Sequence, residues 1–291
     1  MNDTAIEVRG LTKRYGEDRA VAGIDLTVHR SEVFSFLGPN GAGKSTAVEI
    51  LEGFRRRDGG TALVLGEDPG TAGRGWRARL GIVWQRETLV PALPVRDLVR
   101  HFAGYYPESH DSDEVVERVG LSEKARAMPA SLSGGQRRRL DVALGIVGRP
   151  ELLFLDEPTT GFDPRARRDF WSLIRELADG GTTIVLTTHY LEEAEELADR
   201  VCVIARGRVR ALGRPATLGG RASARATVGW TVEGRRREAV TDEPARVVGE
   251  LAALFGGEVP ELSVHRPTLE ETYLELIRDD DGADTAEGST A

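Results

Sequence analysis

The sequence predicts a three-layer α/β fold built around a largely parallel sheet. Short apolar runs at 33–37, 152–155 and 183–187 predict buried strands, and each run is flanked by helical patterns. Strands that alternate with helices are typical of parallel sheets, because each crossover helix returns the chain to the end of the sheet at which the previous strand began. The 291-residue chain is 40% hydrophobic, which is enough for a real core and excludes wholesale disorder.

The first thirty residues predict an antiparallel β subdomain. Apolar and polar residues alternate there in short runs that are punctuated by Gly10, Gly16 and Gly23. This alternation, interrupted by glycine turns, is typical of antiparallel strands. The buried strand at 33–37 comes next, and a glycine-rich turn and a helix that extends to about Gly53 follow it.

A helical insertion is predicted at about 87–149. Segments 94–102 and 113–119 show helical spacing, and no strand-like run intervenes. We expect this insertion to lie within a main domain that spans residues 1–218.

A small α+β domain is predicted at 219–277. Its expected elements are strands at 226–232, 238–240 and 259–264, and helices at 244–255 and 268–277. Thr268 and Glu271 have the spacing of a capping box at the start of the last helix. Residues 278–291 are acidic and poor in apolar side chains, and this composition predicts a disordered tail.

Composition and charge exclude several classes of protein. The formal net charge of -8 argues against a protein that coats nucleic acid through bulk charge. The longest stretch without a charged residue is 180–191, which is shorter than the roughly 18 residues of a membrane-spanning helix, and no signal peptide is recognised. The single cysteine, Cys202, excludes an internal disulfide and a multi-cysteine zinc site, and its apolar setting predicts a core position. We therefore expect a cytosolic protein without a nucleic-acid partner.

A phosphate-binding loop (P-loop) is predicted directly after the strand at 33–37. The run fits the pattern G-x-x-x-x-G-K-[ST] in the required place, between a buried strand and a helix. Its backbone N–H groups can surround a phosphate at a helix N-terminus. Lys44 would place a charge on the β- and γ-phosphates, and Ser45 would offer a hydroxyl to Mg²⁺. The predicted nucleotide-binding residues of the loop are Gly38, Pro39, Asn40, Gly41, Ala42, Gly43, Lys44, Ser45 and Thr46.

Two matching acids follow the strand at 152–155. Asp156 stands at the carboxyl end of that strand, where parallel sheets bind ligands, and can hold the Mg²⁺ shell. Glu157 is placed to polarise an attacking water. Together with the loop, these acids indicate hydrolysis of a nucleoside triphosphate. Asn2 and Asn40 are the only asparagines, so the Asn-Lys-x-Asp motif that binds guanine is absent, and adenine is favoured as the base of the nucleotide.

A second anion site is predicted at 132–136, where the sequence is Leu-Ser-Gly-Gly-Gln. It combines a hydroxyl, two glycine N–H groups and the start of a helix that includes 137–144. Lying between the phosphate loop and the Asp-Glu strand, this string resembles the signature of the ATP-binding cassette (ABC) family. The resemblance covers about residues 4–218 and implies a P-loop ATPase core.

The resemblance implies roles for four further residues. Tyr15 matches the aromatic residue that stacks on adenine, and Gln85 matches the glutamine that reaches Mg²⁺ and water and relays closure to the helical insertion. Asp163 matches the loop that crosses to the partner subunit, although relatives more often have Leu in place of Phe162. His189 matches the switch histidine that contacts the γ-phosphate. From the residues alone, Tyr15 also fits an ordinary half-buried strand tyrosine, and His189 fits a structural histidine.

In that family two cassettes pair head to tail, and each ATP lies between the phosphate loop of one subunit and the signature of the other. The resemblance therefore implies an ATP-bound homodimer with Mg²⁺ held by Ser45, Gln85 and Asp156. Residues implied to act in cis are Lys44, Gln85, Asp156, Glu157 and His189, and those implied to act in trans are Ser133, Gly134, Gly135 and Asp163, with Gln136 completing the signature.

Two segments are similar to a particular branch of the family. The signature region, Leu-Ser-Gly-Gly-Gln-Arg-Arg-Arg-Leu-Asp-Val-Ala, and the segment 266–276 resemble bacterial multidrug exporters of the daunorubicin-resistance type. This implies export of a drug-like substrate through a separate membrane permease, which binds near Gln85 and the helical insertion. The chain would then lie peripherally on the cytoplasmic face of the membrane. The alternative is a soluble ABC ATPase of translation, repair or iron–sulfur assembly, with no membrane partner.

Two further features carry expectations that the structure can test. The arginine runs at 55–57, 137–139 and 235–237 are interpreted as solvated faces, with phosphate or partner contacts as the alternative. Ser31 and Ser35 stand where relatives often have glycine, and we expect Ser35 to perturb its strand slightly.

Overall fold

The computed structural model describes residues 3–85 and 93–283. The chain divides into two compact units, Met1–Leu212 and Gly213–Ala291. In the described part of the first unit the strands are β1 (Thr4–Tyr15), β2 (Asp18–His29), β3 (Val33–Leu37), β4 (Gly59–Val64), β5 (Leu80–Val83), β6 (Leu152–Asp156), β7 (Thr183–Thr188), β8 (Arg200–Ala205) and β9 (Arg208–Gly213). The helices are α1 (Lys44–Leu51), α2 (Arg74–Arg77), α3 (Val95–Ala103), α4 (Ser112–Arg118), α5 (Gly134–Ile146), α6 (Pro164–Asp179) and α7 (Leu191–Leu197).

The N-terminal strands form the antiparallel sheet that the alternation predicted, in the order β2-β1-β4. β1 and β2 each run for 12 residues, and the turn that joins them lies at Gly16, but neither strand ends at Gly10 or Gly23. The register of this pair shifts between Val8 and Leu11 and again between Leu11 and Thr12. Gly10 and Gly23 lie at these shifts with φ angles of 58° and 88°. Gly10 and Gly23 therefore form bulges inside continuous strands.

The predicted parallel sheet is confirmed, with six strands in the order β5-β6-β7-β3-β8-β9. Every pair from β5 to β8 in this order is parallel. Successive side chains of a strand point to opposite faces of the sheet, so alternate residues belong to two separate cores. Phe34 and Phe36 pack with α1 and the antiparallel sheet. Val33 and Leu153 pack on the other face with α3 to α6. The sheet is therefore the middle of three layers.

The described residues between β5 and β6 are helical. α3, α4 and α5 are joined by turns and two short 3₁₀ segments, with no strand in the described range 93–149. Residues 87–92, the first part of the predicted helical insertion, lie outside the described residues. Across the two described ranges, no helix combines the length and the apolar character that a bilayer crossing requires.

The structure accommodates Ser31 and Ser35 differently. Ser31 has a φ of 59°, the left-handed region that favours glycine, and its hydroxyl donates to the carbonyl oxygen of Gly181 at 3.2 Å. Ser35 is fully buried in β3, and its hydroxyl oxygen has no hydrogen-bond partner among the described residues. β3 nevertheless pairs with both neighbouring strands without a register shift.

Cys202 lies in β8 and is fully buried, as predicted for a core residue. Burial raises the pKa of its thiol to about 12, because an apolar environment penalises the thiolate. The thiol therefore stays protonated at neutral pH, which makes it an inert core residue.

The second unit contains a small sheet and two helices. After a 3₁₀ segment at Pro215–Ser223, the described elements are β10 (Ala226–Val232), β11 (Arg235–Thr241), α8 (Pro244–Phe255), β12 (Ser263–His265) and α9 (Leu269–Ala283), with strand order β11-β10-β12. Leu251 of α8 packs with Val228 and Val259 in a separate core. Thr268 and Glu271 form the expected capping box, with the Glu271 N–H donating to Thr268 Oγ1 at 3.1 Å and the Thr268 N–H donating to Glu271 Oε2 at 2.8 Å.

Several predicted boundaries in the second unit differ from the structure. The unit begins at Gly213 rather than at residue 219. The predicted strand at 259–264 is only the short β12, and β11 is longer than the predicted 238–240. The last helix continues to Ala283, so the first residues of the predicted tail are helical. The remaining tail residues, 284–291, lie outside the described residues.

Candidate active site

The turn between β3 and α1 is the predicted phosphate-binding loop, and two of its glycines are sterically required. A Cβ atom at Gly38 would lie 2.2 Å from the carbonyl oxygen of Ile204. Gly43 has a φ of 97°, and a Cβ there would lie 2.0 Å from the carbonyl oxygen of Ala20. Because Gly43 is the N-cap of α1, no side chain caps the first N–H groups of the helix. These groups are therefore available to an anion.

Lys44 is the buried cation of the loop. Its side chain is turned into the loop, where Nζ donates to the carbonyl oxygens of Gly38 at 2.7 Å and Pro39 at 3.1 Å. Burial lowers the pKa of the ammonium group, whereas the nearby carboxylates of Glu157 and Asp156 raise it. A polyanion in the loop would therefore meet both a positive side chain and the N-terminus of α1.

Three predicted catalytic residues meet at the Glu157 carboxylate. Gln85 Nε2 donates to Glu157 Oε2 at 2.7 Å, and His189 Nδ1 lies 3.1 Å from Glu157 Oε1. Gln85, Glu157 and His189 follow β5, β6 and β7, which are adjacent parallel strands. The carboxyl ends of parallel strands lie at one edge of a sheet, so the sheet order assembles this triad.

Asp156 and Glu157 are both held by Thr187, a residue that no sequence motif marks. Thr187 Oγ1 donates to Asp156 Oδ1 at 2.5 Å, and the Glu157 N–H donates to the Thr187 carbonyl oxygen at 3.1 Å. Burial raises the pKa of Asp156, repulsion from Glu157 adds to this, and the Thr187 hydrogen bond opposes it. A cation near Asp156 would favour its charged form.

A second buried carboxyl, Glu52, lies at the end of α1. Only 5% of the residue is exposed, and Trp84 Nε1 donates to Glu52 Oε2 at 3.4 Å. Burial raises the pKa of Glu52 to about 8, with the Trp84 hydrogen bond lowering it and repulsion from Asp156 and Glu49 raising it further. Below a pH of about 8, Glu52 is therefore predominantly protonated in the folded chain.

Glu52→Gln is expected to stabilise the protein most at high pH. The pKa of Glu52 is 4.5 in the unfolded chain and about 8 in the folded chain. The folded protein therefore loses stability as the pH rises from 4.5 through 8, because ionisation is easier in the unfolded chain, whereas below pH 4.5 the carboxyl is protonated in both states and nothing is lost. The variant removes this loss, which we expect to be worth about 2–4 kcal/mol at pH 8 and little at pH 5. Urea unfolding at both pH values measures it, with the exposed Glu117→Gln as the control. An equal gain at both pH values would contradict the assignment.

A cleft of about 400 Å³ opens over the loop, a volume within the range of small-ligand sites. It is lined by residues 40–46 together with Tyr15, Asp18, Ala20, Gln85 and Glu157. Tyr15 is 43% exposed at its rim, with the Arg55 guanidinium 5.2 Å from the ring centroid. This exposed ring offers a stacking surface for a base. Asp18 and Ala20 are lining residues that the motif did not include.

The signature residues lie apart from this cleft in the described part of the chain, since none of them is among its lining residues. Ser133 is the N-cap of α5 and forms a capping box with Gln136. The Gln136 N–H donates to Ser133 Oγ at 3.3 Å, and the Ser133 N–H donates to Gln136 Oε1 at 3.1 Å. The Ser133 hydroxyl proton is not used by this box and can still be donated to a ligand.

The two glycines of the signature are not required by the subunit's own packing. A Cβ at Gly134 would meet no atom within 4 Å, and one at Gly135 would meet only the Ala166 Cβ at 3.7 Å, an ordinary contact. Neither glycine has a positive φ. Glycine is an unfavourable residue in a helix, so these two positions cost stability without a steric reason inside the subunit.

Asp163 acts as the N-cap of α6 in the structure. Its Oδ1 accepts the N–H groups of Arg165 and Ala166, each at 2.9 Å. These hydrogen bonds lower the pKa of Asp163, because they favour the carboxylate. Like the signature, Asp163 is not among the residues that line the cleft, when only the described residues are considered.

The interpretation of the arginine run at 137–139 as a solvated face is wrong for Arg138. This residue is 8% exposed. A signal for this was present in the sequence, because Arg138 precedes the apolar Val142 and Ile146 by four and eight residues and so shares their buried helix face.

Tyr190 is a further residue at the site that no motif marks. Its ring lies 4.1 Å from the His189 ring, centroid to centroid, and the Arg167 guanidinium lies over it at 5.0 Å.

The features of this site define a class of protein, the P-loop nucleoside triphosphatases. The class is characterised by a glycine-rich loop that begins a helix, a buried lysine, and an Asp-Glu pair at the end of a parallel strand. Within that class, the family model for ABC transporters matches residues 21–160. The daunorubicin resistance ATP-binding protein DrrA3 of Streptomyces coeruleorubidus is 40% identical, over 96% of this chain and 98% of that protein.

Two further comparisons agree with this match. The Nod factor export ATP-binding protein I of Ralstonia nicotianae is 44% identical over 73% of this chain and 68% of its own length. The ATP-binding cassette MJ0796, solved as a dimer in a post-hydrolysis state with ADP and Pi, covers 72% of this chain and 98% of its own, with a TM-score of 0.65 and 23% identity. The chain belongs to the ABC transporter family and is an ATPase of that family. The predicted family and P-loop fold are thus confirmed.

Proposed function

We propose that this chain is the ATP-hydrolysing subunit of an exporter and that Glu157 is its general base. The observation that carries this proposal is the contact of the Glu157 carboxylate with both Gln85 and His189. Gln85 orients the Glu157 carboxylate, and His189 would contact the γ-phosphate. Lys44 and the N-terminus of α1 bind the phosphates of the substrate, while Tyr15 stacks on its adenine.

The reaction that follows from these roles is attack of water on the γ-phosphorus. Glu157 accepts a proton from the water, the bond between the γ-phosphorus and the bridging oxygen breaks, and ADP leaves with the charge on its β-phosphate. His189 and Lys44 stabilise the negative charge that spreads over the transferred group. Glu157→Gln tests this assignment, because the amide cannot accept the proton and phosphate release should fall while ATP binding is retained.

The residues at the site also fit Mg²⁺. The donors are the Ser45 hydroxyl, the Gln85 amide oxygen and the Asp156 carboxylate, which are hard oxygen ligands of the kind that Mg²⁺ prefers. The raised pKa of Asp156 supports this assignment, because a cation would relieve the penalty on its charged form. Mg²⁺ would neutralise phosphate charge when it is bound.

We further propose that two copies pair head to tail around two ATP molecules. The support is the separation of two anion-binding features: the phosphate loop lines the cleft, whereas Ser133, Gly134 and Gly135 do not. The unexplained glycines of the signature fit a close approach by a partner's nucleotide. The dimeric state of MJ0796 is consistent with such an arrangement. Asp163 would then face the partner subunit as well.

The transport partner we propose is a separate membrane permease. The two relatives are named for daunorubicin resistance and for Nod factor export, which supports export of a drug-like or similar substrate. Phe54 is 67% exposed and Trp84 is 46% exposed, and their ring centroids lie 5.7 Å apart, next to Gln85. An exposed aromatic pair beside a catalytic residue is suited to a protein contact. The chain would then lie on the cytoplasmic face of the membrane.

Phe54→Ser is expected to abolish co-purification with the permease from native membranes while ATP binding stays intact, because it removes apolar contact area from the proposed interface. Quantitative pulldown of the tagged chain, with mass spectrometry of the bound membrane proteins, measures this. Leu254→Ser is the matched control, since Leu254 is also an exposed apolar residue but lies on α8. A native complex that contains no polytopic membrane protein would instead favour the soluble ABC ATPase.

A further inference from the structure

Arg138 is a buried cation that neither the motif nor the proposed catalytic roles use. It lies in the second turn of α5, the helix whose first turn carries Gly134 and Gly135. Arg138 is buried, with 8% of the residue exposed, whereas the neighbouring Arg139 is only partly buried and its Nη2 lies 3.3 Å from Asp169 Oδ2. A guanidinium remains charged in proteins, so the interior must satisfy it with hydrogen bonds.

The partners of the Arg138 guanidinium are main-chain carbonyl groups. Nε donates to the carbonyl oxygen of Pro158 at 3.1 Å, Nη2 to that of Asp156 at 2.7 Å, and Nη1 to that of Trp84. The nearest carboxylate oxygen in an ion pair with it, on Asp141, is 3.9 Å from Nη1. Because the accepting groups belong to the backbone, the guanidinium fixes the course of the chain at these points.

These three carbonyls surround the catalytic residues of the proposed mechanism. Asp156 and Pro158 are the two neighbours of Glu157, and Trp84 directly precedes Gln85. Glu157 itself has a φ of 44°, a backbone conformation that is unfavourable for a residue with a side chain. One side chain therefore holds the backbone on both sides of a strained residue and joins it to the strand end that carries Gln85.

The electrostatic surroundings keep the Arg138 charge in place. Burial lowers the pKa of Arg138, and the carboxylates of Asp141, Asp156 and Glu193 oppose this. A core position that served packing alone would be filled more favourably by an apolar side chain. The forked geometry of arginine is what allows contact with three carbonyls at once, and a lysine ammonium on a single stem lacks this geometry.

We propose that Arg138 is a positioning residue that holds Glu157 and Gln85 in register and couples both to the signature helix α5. Movement of the first turn of α5, when a partner's nucleotide binds Ser133 and its neighbouring glycines, is transmitted through Arg138 to the backbone around Glu157. This inference rests on the proposed function. It adds a direct connection between the signature residues, which would bind the partner's nucleotide, and the catalytic residues of the same subunit. Arg138 is thus a coupling residue within one subunit, five positions after Ser133.

Arg138→Met tests this with a side chain of similar length that can stay buried. We expect kcat for ATP hydrolysis to fall by about 100-fold, because small displacements of a catalytic group have effects of that size. KM for ATP and the affinity for a fluorescent ATP analogue, which depend on the loop at 38–46, should change less than about threefold. Arg139→Met, at the partly buried neighbour that pairs with Asp169, is the control and should keep kcat within about twofold.

A second variant separates positioning from folding. Arg138→Ala with millimolar methylguanidinium added should recover part of kcat, because the small cation can occupy the vacated site and donate to the same carbonyls. A merely structural role predicts no such recovery below denaturing concentrations. Arg138→Lys should be intermediate in kcat, since it keeps the charge but contacts fewer carbonyls.

Three results would overturn the inference: full kcat in Arg138→Met, a parallel loss of ATP affinity and kcat, or no recovery of Arg138→Ala by methylguanidinium. Glu157→Gln measured alongside identifies which proposal fails. If Glu157→Gln is inactive and Arg138→Met is fully active, only the coupling role of Arg138 is wrong. If both hydrolyse ATP at the wild-type rate, the assignment of Glu157 as general base is wrong as well.

Discussion

Glu157→Gln is expected to lower the rate of ATP hydrolysis by about 10²–10⁴-fold while ATP binding is retained. The amide keeps the size of the side chain and one oxygen that can accept the Gln85 Nε2 hydrogen bond, but it cannot take a proton from water. The phosphate loop and Lys44 are unchanged by this substitution, so the affinity for ATP should remain. Steady-state phosphate release and equilibrium binding of a labelled nucleotide measure the two quantities separately.

The same variant should accumulate as an ATP-bound dimer. If ATP joins two subunits and its hydrolysis separates them, a subunit that binds without hydrolysing remains in the joined state. Size-exclusion chromatography with light scattering, with and without ATP and Mg²⁺, detects this. Glu176→Gln, an exposed residue of α6, is the control and should behave as the wild type. Hydrolysis near the wild-type rate would show that Glu157 is not the general base.

The parts of the site that could be predicted from sequence are those formed within one short segment. The loop at 38–46 and the Asp156–Glu157 pair each follow an apolar strand directly, and the steric demands at Gly38 and Gly43 explain why the motif has those glycines. The parallel sheet follows from the same apolar runs. Local pattern and local geometry agree in these segments, and the structure places them as expected.

Contacts between distant segments could not be predicted from spacing. The contact between Gln85 and Glu157 depends on β5 lying beside β6, an order that no residue spacing in the sequence specifies. Thr187, which joins Asp156 to the Glu157 backbone, has no motif of its own. At Gly10 the glycine signal itself was misread, because a left-handed glycine fits a bulge within a strand as well as a turn that ends one.

Gly134→Glu is expected to stabilise the isolated subunit and to abolish ATP hydrolysis. A Cβ at Gly134 meets no atom within 4 Å, so the fold can accept a side chain there. Glu is a better helix former than Gly, and an acid in the first turn of α5 interacts favourably with the helix dipole, which together raise the free energy of unfolding by about 1 kcal/mol. In the proposed dimer, the same carboxylate would lie against the γ-phosphate of the partner's ATP and repel it.

The two opposite effects distinguish a signature that acts in trans from one that supports its own subunit. Urea unfolding of the variant should give a free energy equal to or above that of the wild type, while phosphate release falls to background and ATP no longer induces dimers. Mixing it with Lys44→Met should restore hydrolysis that neither variant has alone, because the mixed dimer contains one site with an intact loop and an intact signature. If Gly134→Glu lowers stability instead, or if it hydrolyses ATP normally, then Gly134 does not approach a partner's nucleotide, and the head-to-tail arrangement loses its support from this glycine.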